Sequence, residues 1–171
     1  MALIKKEYQL PESNSGSLFV KFEPGENRFR MLDAITFGYI NWEDGKPTRY
    51  ETPSDVPTGA EDVKHFWFVP VWMNDQVSFL EIHQKSVQRE LKFLNDSEDW
   101  GDLENYDVIV RRDGEGLETE YFVQPCPKKA KKKEAKKKWE EMSEHYKPNN
   151  LFTEDGVVYA KPTEQDEGLP F

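Results

Sequence analysis

Cysteine is nearly missing from this chain of 171 residues, with Cys126 standing alone. That excludes an internal disulfide and any cysteine-based zinc cluster, and it fits a reducing compartment. Histidine is almost as sparse: His65, His83 and His145 are scattered without ligand spacing, so no metal site or other cofactor is expected. No glycine-rich phosphate loop occurs either, because Gly114 and Gly116 fall in a hairpin-type turn. Carboxylates are numerous, yet none is matched with a lysine or histidine in the way nuclease chemistry requires. No stretch approaches the ~20 apolar residues of a membrane span, and Met1 to Leu10 lacks the apolar run of a signal peptide. These absences lead to the expectation of a cytoplasmic binding protein that is neither an enzyme nor a membrane protein.

What the chain does have is 23 aromatic residues and a third of its residues charged, in a length typical of one domain. The net charge of −10 argues at first against a polyanionic partner. Its distribution changes that reading: residues 1–126 carry −11, residues 127–147 carry +5 and residues 148–171 carry −4. Such blocks suggest a basic element and an acidic tail, each kept for a partner or for one another.

Residues 1–16 read as a polar N-terminal arm, and residues 17–126 as a β-rich domain. Strands are expected at Phe19 to Phe22, Asn27 to Leu32, Ile35 to Trp42, His65 to Trp72, Val77 to His83, Tyr106 to Arg112 and Glu118 to Gln124. Lys46 to Lys64, with three prolines, reads as a long loop. Val87, Leu91 and Leu94 mark an amphipathic helix from Gln84 to Asn95. If Asn27 to Trp42 is one long bent strand, the helix falls between the third and fourth strands. That is the order of an OB-fold, a five-stranded Greek-key barrel with a capping helix. After Pro127 comes a lysine-rich amphipathic helix, residues 127–147, whose stripe of Ala135, Trp139, Met142 and Tyr146 should dock on something. Residues 148–171 form an acidic tail that is expected to be flexible and closes on Leu169, Pro170 and Phe171.

Sequence-independent binding of a single strand needs cations along the backbone and aromatic faces on which any base can stack. Arg28, Arg30, Tyr39, Trp42, Lys46, Arg49, Lys64, Trp67, Trp72, Arg111 and Arg112 interleave the two on the expected strands and loops. Arg28 and Arg30 alternate with Phe29 and Met31, so both arginines are expected to point outward if the apolar pair is core. The bland reading is that a strand aromatic is core. The lysine helix has three readings: a phosphate-binding arm, a dock for the acidic tail, and an inert solvated face. The tail, with Glu164, Asp166, Glu167, Leu169, Pro170 and Phe171, offers charge, an apolar anchor and a carboxylate to a basic partner pocket.

Several stretches resemble the single-stranded DNA-binding proteins of tailed bacteriophages. They include Lys21 to Arg30, Lys64 to Trp67, Leu80 to Ser86, Trp100 to Asp102, Tyr106 to Val108, Gly116 to Tyr121 and the end Gly168 to Phe171. The resemblance implies an OB-fold accessory of phage DNA replication, recombination and repair. Such a protein coats single-stranded DNA in the infected bacterial host and recruits replication proteins such as DNA polymerase through its tail. It also implies that Glu164, Asp166, Glu167 and Phe171 mimic DNA and compete for the basic groove. Lys128 to Lys138 departs from the family pattern, and self-association stays open. Two other readings stand: an acidic OB protein that binds proteins or mimics DNA, and an RNA-binding OB module.

Overall fold

A computed structural model describes residue 3, residues 18–153 and residues 156–160. Among the described residues the fold is mainly β, with eight strands in one open mixed sheet and two α-helices. The strands are β1 (Phe19–Val20), β2 (Gly25–Met31), β3 (Thr36–Glu43), β4 (Lys46–Tyr50), β5 (Lys64–Met73), β6 (Gln76–Ile82), β7 (Val108–Asp113) and β8 (Glu120–Pro125). The helices are α1 (Lys85–Asp96) and α2 (Lys133–Ser143).

The hydrogen-bonded path runs β1-β6-β5-β2-β7-β8, and β3 joins β5 on one side and β4 on the other. β5 is long enough to serve two partners on one edge: its first half pairs with β3 and its second half with β2. β2 and β3 therefore act as two segments of one bent edge along β5. β8 pairs with β7 and β1 with β6, in parallel, so the path keeps two ends.

Two turns explain the tight hairpins. Asn74 and Asp75 lie at φ 53° and 60°, and Asp44 and Gly45 at φ 50° and 77°. Two consecutive left-handed residues match the right-handed twist of the strands they join.

Side-chain alternation splits the sheet into two faces. Phe29, Met31, Trp67, Val69, Val71, Leu80, Ile82, Val108 and Val110 share the inner face, where Val87, Leu91 and Leu94 of α1 close over them. Ile40, Phe66, Phe68, Val77 and Phe79 share the outer face, where Ala135, Trp139 and Met142 of α2 cover them together with Leu151 and Val158. The apolar stripe of the lysine helix thus docks on β5 and β6, and Trp139 Nε1 donates to Asp33 Oδ2 at 3.2 Å. The dense run His65 to Trp72 divides its aromatics between two cores, so its surplus rings answer to α2 and leave few for a ligand.

Three expectations need correction. The expected tail does not begin at residue 148: Pro148–Phe152 forms a 3-10 helix, Leu151 and Val158 are buried in the outer core, and Tyr159 pairs with Tyr146. Lys46–Tyr50 is a strand, hidden from the sequence by Pro47 and by charge; an edge strand tolerates proline because no ladder bond is needed on its free side. The basic helix begins at Lys133, five residues later than Lys128. The segment before it is held extended: the Lys129 amide donates to the Asn105 carbonyl, and the Lys129 carbonyl accepts from Arg30 Nη1.

Candidate nucleic-acid interface

The outer face has one part that α2 leaves open, across β2, β7 and β8. The register sets its rows. Glu26 lies opposite Arg111, and Arg111 opposite Phe122; Arg28 lies opposite Ile109, and Ile109 opposite Gln124. Cross-strand partners share a face, so Arg28, Arg111 and Phe122 are presented together. The Arg111 guanidinium carbon sits 4.6 Å from the centre of the Phe122 ring, within cation–π range. Phe122 is 44 % exposed, and the side chains of Arg28 and Arg111 are 50 % and 49 % exposed. Arg111 Nε also bonds Asp113 Oδ2 at 3.0 Å, which holds the guanidinium over the ring.

Beside this platform lies a groove of about 260 Å³, lined by Arg28, Arg30, Trp72, Asp75, Asp107, Lys129, Lys131 and Lys132 among others. Asp107 anchors it. Its Oδ2 accepts from Arg28 Nε at 2.9 Å and its Oδ1 from Arg30 Nε at 2.8 Å. The hydrogen bond to Asp107 is the main reason the Arg28 pKa rises above its ordinary value, so Arg28 stays charged. Lys131 reaches Glu104 Oε2 at 3.3 Å and Lys132 reaches Asp75 Oδ1 at 3.8 Å. Exposed pairs contribute little and are screened by salt, so Lys132, 62 % exposed, can exchange its carboxylate for a phosphate, whereas Lys131, 17 % exposed, is held more closely.

The residues singled out from the sequence divide clearly. Arg28 and Arg111 meet on the open face, and Trp72 reaches the groove half-buried. Arg30 does not point outward. Its side chain is only 4 % exposed because Asp107 and the carbonyls of Glu104 and Lys129 draw the guanidinium beneath the basic segment. Trp67 is buried in the inner core, and Arg112 is half-buried with Nη1 donating to the Phe22 carbonyl at 3.1 Å. Arg49 crosses the outer face to Glu81, Nη2 to Oε1 at 2.7 Å, and lies 5.4 Å from the centre of the Phe66 ring.

Burial pushes the Glu81 carboxyl up, but the nearby His83 imidazole, the Arg49 charge and the Arg49 hydrogen bonds outweigh it and leave the pKa below its ordinary value. That cluster ties β4 to β6. Trp42, Lys46 and Lys64 are exposed on or beside the β3–β4 hairpin, and Tyr39 is half-buried on the inner face. None of these four joins the β2–β7–β8 platform.

Phe122 was missed by the sequence reading. The alternation of β8, where Tyr121 and Val123 pack on the inner core, was the signal that Phe122 faces away. Glu164, Asp166, Glu167, Leu169, Pro170 and Phe171 lie outside the described residues. Among the described residues no group of three or more His, Cys, Asp or Glu is placed to hold a metal ion, and no helix is long and apolar enough to cross a membrane. Comparison with family models, with curated proteins and with solved structures finds no match to this chain.

Proposed function

We propose that this protein binds single-stranded DNA without sequence preference, along the outer face of β2, β7 and β8 and into the groove that runs from Arg28 to Lys132. One observation carries the reading: an exposed aromatic ring, Phe122, is held beside Arg111 and Arg28 on one face. Stacking a base on an aromatic is indifferent to base identity and is worth roughly 1–3 kcal/mol, while cations hold the adjoining phosphates.

The strand order supports an OB-fold reading in which β2 and β3 form the bent first strand, β5 and β6 the second and third, and β7 and β8 the fourth and fifth, with α1 between the third and fourth. OB-folds bind oligonucleotides chiefly on the face of strands two and three. Here α2, Leu151 and Val158 occupy the outer side of β5 and β6, which directs the strand to β2, β7 and β8 instead. The lysine segment then splits its duties: Lys129, Lys131 and Lys132 line the groove, and the helix clamps the second core.

On this reading the protein acts in phage replication, recombination and repair inside the bacterial host, and makes no covalent change to DNA. The acidic tail recruits replication proteins such as a DNA polymerase, and in the absence of DNA it screens the basic groove. Fluorescence anisotropy of a labelled mixed-sequence strand of about 30 nucleotides, beside the matching duplex and RNA, tests the proposal. Preference for the DNA strand supports it, equal binding of RNA turns it toward an RNA module, and no binding favours an acidic protein-interaction domain.

A further inference from the structure

A second aromatic surface lies on the other side of the sheet and is not used by the groove. On the inner face, past the point where α1 closes the core, the register sets Tyr50 opposite Tyr39, Tyr39 opposite His65 and Phe37 opposite Trp67. The rings form a row across three strands. Tyr39 and His65 have centroids 5.0 Å apart; His65 and Phe37 are 6.2 Å apart and within 5° of parallel; and Trp67 sets its edge against Phe37 at 5.7 Å. The row ends in Phe37, which is 52 % exposed. A cavity of about 400 Å³ opens beside it, lined by Ile35, Phe37, His65, Trp67, Lys92 and Asn95 among others.

The walls pair flat rings with polar groups. His65 Nδ1 lies 2.9 Å from the Gly38 carbonyl, which can only accept, so in the neutral ring the hydrogen sits on Nδ1 and Nε2 is left as an acceptor. Gly38 has to be small at this point, because a Cβ would come within 2.7 Å of the Phe66 ring. The backbone that aims His65 is thereby fixed from the opposite face. Lys92 stands at the cavity rim in an exposed pair with Asp96. An apolar hole for a protein side chain would not need the Lys92 cation or the Asn95 amide at its rim; a few convergent polar groups around aromatic walls are the composition of a small-ligand pocket.

We propose that this mouth is a second site for an unpaired base of the same strand, stacked on the free face of Phe37, with the His65 ring backing the other face of Phe37 and Lys92 meeting a neighbouring phosphate. The inference rests on the single-strand reading above. Because the two platforms lie on opposite faces of the sheet, a short strand fills only the β2–β7–β8 groove, and a longer one turns the sheet edge and reaches Phe37.

Phe37 is exposed, so Phe37→Ala leaves the core intact, and its binding to thymidine oligomers of about 8 and about 30 nucleotides tests the site. The variant is expected to bind the short oligomer as the wild type does, and to lose roughly 5- to 150-fold on the long one, as for one lost stack. A 2-aminopurine placed inside the long oligomer should respond on binding to the wild type and less to the variant. Unchanged affinity at both lengths overturns the second site, and so does an equal loss at both, which would place the row in the main groove. Failure of the wild type to bind either oligomer would overturn the single-strand reading itself.

Discussion

Arg111 and Phe122 face each other across the β7–β8 ladder, and the guanidinium carbon stands 4.6 Å from the ring centre. The pair makes a flat, charged step on the sheet. A base that stacks on Phe122 brings its phosphate toward Arg111 and Arg28 together. Phe122→Ala is therefore expected to weaken single-strand binding by roughly 1–3 kcal/mol. Because the ring is exposed, the same change should leave the urea midpoint nearly unmoved; equal affinity of variant and wild type would remove Phe122 from the interface.

Asp107 holds one exposed and one buried arginine at once. Asp107→Ala leaves the Arg30 guanidinium under the basic segment with only carbonyl partners, a loss of roughly 3 kcal/mol in folding stability. Arg30→Met removes the buried charge itself and is expected to cost less. Equilibrium urea unfolding of the two variants compares them, and a milder effect for the aspartate variant would mean that Arg30 is not dependent on the pair.

The Arg49–Glu81–His83 cluster should appear in acid unfolding. Glu81 has a folded pKa below its ordinary value. Its contribution is therefore present above the unfolded value of about 4.3 and is lost as pH falls through the lower folded value. Glu81→Gln is expected to cost roughly 1–3 kcal/mol at pH 7, and the gap from wild type should narrow as the buffer passes below pH ~4. A gap of the same size at neutral and acidic pH would contradict the assignment.

Gly38 lies tight beneath the outer core. An added Cβ would lie 2.7 Å from the Phe66 ring and 2.8 Å from the Phe152 ring, so Gly38→Val should lower stability by roughly 1–3 kcal/mol through overpacking. Thermal unfolding reads this directly, and an unchanged midpoint would mean that the rings yield without cost.

Deleting residues 162–171 removes Glu164, Asp166 and Glu167. If the tail screens the basic groove, the truncated chain binds a single strand more tightly at low salt and the advantage fades as salt rises. Unchanged affinity at low salt would end the screening proposal while leaving partner recruitment intact.

Much of this organisation was legible in the residues. Alternation marked the long strands, the spacing of Val87, Leu91 and Leu94 marked α1, and the stripe of Ala135, Trp139 and Met142 announced a docked helix. Alternation alone, however, cannot say whether the second face of a strand meets water or another layer. Arg30 was expected in solvent and is buried, because Asp107 and the carbonyl of Lys129, 99 residues away in sequence, supply what water would have. Trp67 and Phe122 exchange roles for the same reason: the inner face of β5 is roofed by α1, while the outer face of β8 is left open. β4 escaped notice because its pairing with β3 does not rest on an apolar pattern.

The central claim is that the platform around Arg28 and Arg111 is the DNA surface, and the most direct measurement is the salt dependence of single-strand affinity for the wild type and the double variant Arg28→Glu, Arg111→Glu. Tight binding at low salt that weakens as salt rises is expected, with a double variant that binds at least about tenfold more weakly and with a salt slope smaller by about one to two phosphate contacts. A double variant with the affinity and slope of the wild type would contradict it.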